Sequence, residues 1–254
     1  MVLKIKHFVI FITIIGFCSC KQEKQHLQEI KGAQLKISNS IPITDSIENF
    51  VAPYRNRINV ILDSTLAYAP KPISKTDGKF NTTAGNLLAD IVWEQSTPIF
   101  EKRTEKKIDF VLLNHGGIRS IISKGKVTAR TAYEVMPFEN TVVVVALDGK
   151  AVRELLDYLV DSKRAHPISG IQILLDKNAK LKTVRIQGES FDENKTYYVA
   201  TSNYLVNGGD NMSFFRKRSE QWELDYTIRN TMIDYFMKYD TIAPSIDQRF
   251  AQIN

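Results

Sequence analysis

Three short segments of this 254-residue chain mix glycines with committed side chains. They are Asn-His-Gly-Gly-Ile-Arg at 114–119, Pro-Phe-Glu-Asn at 137–140 and Asn-Tyr-Leu-Val-Asn-Gly-Gly-Asp at 203–210. In the first, Gly116 and Gly117 allow the main chain to turn and bring its N–H groups close to a ligand, with His115 as their neighbour. Arg119 can fork onto a phosphate or carboxylate, and Asn114 offers both a donor and an acceptor. A surface turn with a solvated arginine reads the same way. The second segment alternates an aromatic, Phe138, with an amide, Asn140; a core phenylalanine beside a turn-forming asparagine fits it equally. The third repeats the recipe with Tyr204, the Gly208-Gly209 hinge and Asp210. Taken together, two aromatic faces, one arginine and one aspartate suit a nucleoside phosphate. The base would stack between rings, the ribose would bond to the carboxylate, and the phosphate would face the guanidinium.

Metal chemistry has no comparable signature. The four histidines are His7, His26, His115 and His166, and no Asp-x-His, Gly-Asn-His-Glu or Gly-His-x-His occurs. Two histidines in the expected folded region are too few for a dinuclear cage, so no metal ligands and no catalytic residues are expected in this chain. Ser169 and the other serines lack a recognisable base and orienting partner. His166, before Pro167, reads as a loop residue. Trp93 and Trp222 read as packing residues, and Lys102, Arg103, Lys106 and Lys107 as a solvated helix end.

The elements that must carry these segments are legible from periodicity. Thr44 or Asp45 can cap a helix through Ile47, Phe50, Val51, Tyr54 and Ile58, with Pro53 implying a kink or break. A strand is expected over 60–66, a loop over 71–80, and a helix over 83–103. Residues 108–113 form an apolar run delivering the first segment, and a short helix over 131–135 precedes the second. The valine run at 141–147 should be a buried strand. Asp148-Gly149 reads as a turn before a helix containing Val152, Leu155, Leu156 and Leu159. Strands follow over 171–175, 183–186 and 197–201, the last delivering the third segment, and a closing helix over 225–239. This is an α+β order, with mixed sheets flanked by helices.

Composition sets the surroundings. Hydrophobic content is 43% and charged content 24%, as in ordinary globular proteins. Net charge is +6; without Lys4 and Lys6 it would be +4, a weak preference for anions. No basic stripe interleaved with aromatics points to nucleic acid. Lys4 and Lys6, the apolar run 8–17 and Cys18-Ser19-Cys20 resemble a bacterial lipoprotein signal, with lipidation of Cys20. A plain signal peptide or membrane anchor is the alternative. Both cysteines lie there, so the folded region contains none. The expected organisation is a signal peptide at 1–19, a lipidated polar tether at 20–42, and one domain at 43–254.

In this order and at these separations, the three segments resemble the C-terminal, substrate-binding domain of the 5′-nucleotidase/UDP-sugar hydrolase family. That domain carries Asn-Gly-Gly-Gly-Ile-Arg, Pro-Phe-Gly-Asn and Asn-Phe-Leu-Ala-x-Gly-Gly-Asp-Gly loops. The Ala-Gly-Asn-Leu-Leu-Ala-Asp start at 84–90 and Ser169-Gly170 also resemble it. The resemblance implies that Phe138 and Tyr204 stack a base, Asp210 binds ribose hydroxyls, Asn140 and Gly170 line the base edge, and Asn114 and Arg119 meet the phosphate. Here His115 replaces a glycine and Tyr204 a phenylalanine. The family's phosphate-binding arginines before the 84–90 helix start are replaced by Lys75 and Lys79 alone.

The family hydrolyses on a separate dinuclear metallophosphoesterase domain. The expectation is therefore a nucleotide- or nucleoside-recognition component of a 5′-nucleotidase-type phosphohydrolase, serving nucleotide catabolism. It would be lipid-anchored in the cell envelope, on a periplasmic or surface face of a membrane such as the outer membrane. A separately encoded metallophosphoesterase subunit would bring the divalent metals. The alternatives are a stand-alone nucleotide- or nucleoside-binding lipoprotein, and a decayed pocket serving protein contacts.

Overall fold

The computed structural model describes Val9 and residues 27–38, 40–42 and 44–253. Cys20 and the signal and tether boundaries at 19 and 20 lie outside the described residues. Two units separate, Met1–Phe50 and Val51–Asn254. In the first, residues 27–38 have no regular secondary structure and are exposed. No helix among the described residues is long and apolar enough to cross a membrane.

Helix α1 (Asp45–Asp63) runs uninterrupted through Pro53 and buries none of its residues. The chain is therefore not broken at Pro53, and the strand expected over 60–66 is instead the last turn of this helix followed by β1 (Thr65–Ala69). Val60 and Ile61 are both exposed, so no sheet claims them. Arg130 forks onto Asp63 and also donates to Asn59, tying the end of α1 to the helix that carries Arg130.

The second unit is built on a five-stranded sheet. In chain order the elements are α2 (Thr83–Thr104), β2 (Phe110–Leu112), β3 (Gly125–Thr128), α3 (Ala129–Val135), β4 (Thr141–Asp148) and α4 (Gly149–Ser162). There follow β5 (Ile168–Ser169), β6 (Ile171–Leu175), β7 (Leu181–Ile186), β8 (Glu189–Ser190), β9 (Thr196–Ser202), α5 (Asn203–Val206), β10 (Glu220–Thr227), α6 (Ile228–Lys238) and β11 (Phe250–Gln252). The central sheet has the order β10-β4-β9-β2-β5. A second sheet has the order β11-β6-β7-β8, and β1 pairs with β3. Both antiparallel and parallel pairings occur in the two larger sheets, as a mixed α+β fold requires.

Strand β4 shows why the valine run is buried. Val142 and Val144 point into one core with Leu88, Ile91, Met232 and Phe236, which come from α2 and α6. Val143, Val145 and Leu147 point into the other, with Leu155 and Leu159 of α4 and Ile173 of β6. Alternation on a strand covered on both faces gives an unbroken apolar sequence. Asp148, expected in a turn, caps α4 by accepting from the Ala151 N–H at 2.8 Å, and Gly149 is already helical. Helix α2 begins where Thr82 accepts from the Gly85 N–H. Its Asn86 pins the C-terminal segment by donating to Asn81 and to the Ser245 carbonyl.

Candidate functional site

The strand order brings the three segments together. β9 runs parallel to β2 and antiparallel to β4 (Val111 opposite Ala200, Val142 opposite Ser202). The C-terminal ends of β2 and β9 and the N-terminal end of β4 therefore open on the same edge of the sheet. Segment 114–119 leaves β2, segment 203–210 leaves β9, and segment 137–140 enters β4. Cross-links between them hold this edge. The Arg119 N–H donates to Val135 at the end of α3, and Asn203 Oδ1 accepts from the Thr141 N–H.

Asn114, Gly116, Gly117, Arg119, Phe138, Asn140, Tyr204 and Asp210 line one cavity of about 330 Å³. This is at the small end of the range for small-molecule sites. Phe138 and Tyr204 are 39% and 44% exposed, so both rings keep surface available to a ligand. Asp210 is the hub. Its Oδ2 accepts from Asn114 Nδ2 at 2.8 Å, and its Oδ1 accepts from the Tyr204 hydroxyl at 3.1 Å. Its backbone N–H donates to the same hydroxyl at 3.3 Å, and its carbonyl accepts from Tyr158 at 2.9 Å. Burial, and after it the Asp210 charge, raise the Tyr158 pKa, so Tyr158 stays a donor.

Backbone conformation explains the glycines of the third segment. Gly208 has φ +95°, in the left-handed region, and a Cβ there would sit 2.5 Å from an Arg216 guanidinium nitrogen. At Gly209 the reason is proximity: a Cβ would lie 2.4 Å from the Tyr204 ring, so the ring rests against the main chain. Gly208 and Gly209 thus support the cavity without lining it.

Arg119 lies with its guanidinium carbon 5.9 Å from the Phe138 ring centroid and donates to the Gly116 carbonyl at 3.4 Å. Lys75 reaches the same loop, donating to the Ile118 carbonyl at 2.5 Å. Lys79 is elsewhere, over Phe80 and toward Gln252. A slot with two aromatic rings, one carboxylate and one guanidinium fits a planar, hydroxylated anion.

Two expected positions behave differently. Gly170 is not at this cavity. It has φ +79°, a Cβ there would fall 2.1 Å from the Trp93 ring, and it borders a separate concavity with Asp247 and Arg249. His166 lies in a loop before β5, as expected, but it is buried, at 3% exposed. Its Nδ1 accepts from the His115 N–H at 3.2 Å, which places the proton on Nε2, where no partner is found among the described residues. Burial, then the neighbouring His115, push its pKa down to about 4. The His115 side chain turns its Nδ1 to the Ala165 carbonyl at 3.2 Å and is absent from the lining.

Sequence reading missed Arg229. It is buried, donates to the Phe138 carbonyl at 3.2 Å and pairs with Glu139. Its position in an amphipathic helix gave no sign that it would reach a loop 91 residues away. Lys106, read as solvated, lies over the Tyr198 and Trp222 rings.

A dinuclear metal centre does not fit the described residues. No group of three or more His, Cys, Asp or Glu side chains converges among them, and the Nδ1 atoms of His115 and His166 are engaged in the contacts above.

Comparison with known proteins gives a consistent picture. The family model of the 5′-nucleotidase C-terminal domain matches residues 63–217. The chain is 36% identical over 108 residues to protein UshA of Escherichia coli (strain K12), covering 40% of this chain and 19% of that protein. It is 28% identical over 187 residues to the trifunctional nucleotide phosphoesterase protein YfkN of Bacillus subtilis, covering 68% and 12%. Its fold is similar to that of the 5′-nucleotidase precursor from Thermus thermophilus, with a TM-score of 0.68 and 22% identity over 83% of this chain and 43% of that one. The chain spans less than half the length of each of these proteins. With 155 residues matched from 63 to 217, more than half of the sequence, this chain belongs to the 5′-nucleotidase C-terminal domain family.

Proposed function

We propose that this domain binds a nucleoside 5′-phosphate or a related nucleoside and presents it to a dinuclear metallophosphoesterase encoded separately, which supplies the divalent metals and the attacking water. The observation that carries the reading is the convergence of Phe138, Tyr204, Asp210, Asn114 and Arg119 on one cavity from three distant segments. In it Phe138 and Tyr204 take the two faces of the base, Asn140 meets its edge, and Asp210 accepts from the ribose hydroxyls. Each Asp210 oxygen already accepts one hydrogen bond and keeps a second lone pair for the ligand. Arg119 turns from the Phe138 face to the phosphate, with Lys75 adding charge but no fork. Exposed Val51, Ile58 and Ile61 on α1 offer an apolar face for the catalytic partner. A lipid on Cys20 would hold the assembly at a membrane of the cell envelope.

Titration calorimetry with AMP, adenosine and UDP-glucose tests recognition. Metal-independent binding that weakens in Phe138→Ala and Asp210→Ala supports it; no binding to any of the three overturns it. Mixing with a metallophosphoesterase tests the division of labour, which fails if neither a complex nor a gain in AMP hydrolysis appears. The rival is a stand-alone nucleotide receptor, favoured by the gathering of two rings, a carboxylate and a guanidinium in one cavity, and tight binding without any partner would select it.

A further inference from the structure

We infer that Arg229 is the positioning residue for the Phe138 platform, acting from α6 on a loop that precedes β4, and this rests on the base-stacking reading above. The Arg229 side chain is 7% exposed, which is unusual for a guanidinium, and its Nε finds no partner among the described residues, so its terminal nitrogens carry the compensation. Nη1 donates to the Phe138 carbonyl at 3.2 Å, and Nη2 pairs with Glu139 Oε1 at 2.5 Å. The guanidinium carbon lies 4.1 Å from the centroid of the Tyr133 ring of α3. The planar fork is thus fixed on one face by an aromatic and along its edge by two successive residues of the loop. One residue earlier, the Ile228 N–H donates to the Asn140 carbonyl at 2.9 Å. The first turn of α6 therefore grips Phe138, Glu139 and Asn140 in turn.

Phe138 itself is 39% exposed and belongs to neither core, so core packing does not hold it. The ring is placed by the backbone that carries it, with Arg119 over one face, and that backbone is held by Arg229. Glu139 is the outer end of the clamp, with its side chain 76% exposed. A carboxylate so exposed contributes little to stability, but it fixes the fork that fixes the Phe138 carbonyl. An aromatic platform must be in place before the base arrives if stacking is to add affinity, because any ordering cost is taken from binding.

The test is a double-mutant cycle on the full chain, read by calorimetric titration with AMP and with ribose 5-phosphate, which lacks the base. Arg229→Met should weaken AMP binding about 5- to 20-fold while leaving ribose 5-phosphate within about 2-fold. Combined with Phe138→Ala, it should add almost nothing to the loss that Phe138→Ala causes alone. Arg229→Lys keeps the charge but not the fork and should fall between wild type and Arg229→Met. Glu139→Ala, at an exposed position that does not threaten folding, should show the same selective loss at about 2- to 5-fold. Equal losses for both ligands, or additivity with Phe138→Ala, would overturn the inference. If Phe138→Ala leaves AMP binding unchanged, the stacking reading falls first and takes this one with it.

Discussion

Gly209→Ala isolates the Tyr204 platform from the rest of the site. An alanine Cβ at this position would lie 2.4, 2.5 and 2.6 Å from three carbons of the Tyr204 ring. Unstrained carbon contacts are about 3.5–4.0 Å, so the ring must retreat by roughly 1 Å or more. Unlike Gly208, Gly209 is outside the left-handed region, so alanine is conformationally acceptable and the effect is steric alone. The retreat breaks the bonds between the Tyr204 hydroxyl and Asp210, both of which are already long at 3.1 and 3.3 Å. Asp210 keeps Asn114 and Tyr158 as partners and stays in place. One stacking face is lost, worth about 1–3 kcal/mol, which corresponds to AMP binding about 5- to 150-fold weaker. Ribose 5-phosphate should change by less than about 3-fold, since it uses no ring. Tyr204→Phe, which keeps the ring on Gly209 and removes only the hydroxyl, should also stay within about 3-fold for AMP. Calorimetric titration of the three proteins decides it. Wild-type AMP affinity in Gly209→Ala, or equal loss for both ligands, would refute the assignment of Tyr204 as a stacking face.

Three further perturbations separate the pocket from the scaffold. Gly170→Ala drives a Cβ into Trp93 at a position with φ +79° and should cost about 2–4 kcal/mol in urea unfolding. Its AMP affinity should be unchanged; a selective loss of binding would return Gly170 to the site. His166, held neutral with a pKa of about 4, takes up its proton in the unfolded chain from about 6.5 downward. The folded state is therefore at no disadvantage above pH 6.5, and loses stability as pH falls from 6.5 to 4, by about 3 kcal/mol in all. Unfolding of His166→Gln across that window should be flatter than wild type by this amount, and parallel curves would contradict it. Arg249 forks onto Asp90 and also pairs with Asp247, joining α2 to the segment before β11. With the two carboxylates 45% and 41% exposed, Arg249→Met should cost about 2 kcal/mol, less than a fully buried pair would. Thermal unfolding at the wild-type midpoint would show that the clasp contributes nothing.

Local sequence carried much of the fold because several elements are strongly periodic. Helix α2 was expected over 83–103 and spans Thr83–Thr104, and β6 was expected over the residues it occupies. The strands missed were those whose sequence carries no burial pattern. β10 has a single buried residue, Leu224, and charged residues at three of its eight positions, because it lies at the edge of the sheet. β11 is three residues long and exists only through its parallel pairing with β6. The last turn of α1 misled because exposed Val60 and Ile61 look like strand residues in isolation.

The candidate site divides along the same line. Sequence alone determined the three loops, their glycines and the kinds of side chain they offer, because those are properties of contiguous residues. It also determined that His and Asp motifs for two metals are not written among these residues. Only the tertiary structure decided that the loops meet. That depends on β9 lying parallel to β2 and antiparallel to β4, a pairing between residues 48 to 89 positions apart that no local pattern encodes. The same long-range packing took Gly170 to Trp93, buried His166 behind His115, and brought Arg229 under Phe138. Chemistry of this kind is chosen by residue type, but its geometry is set by which strands are neighbours.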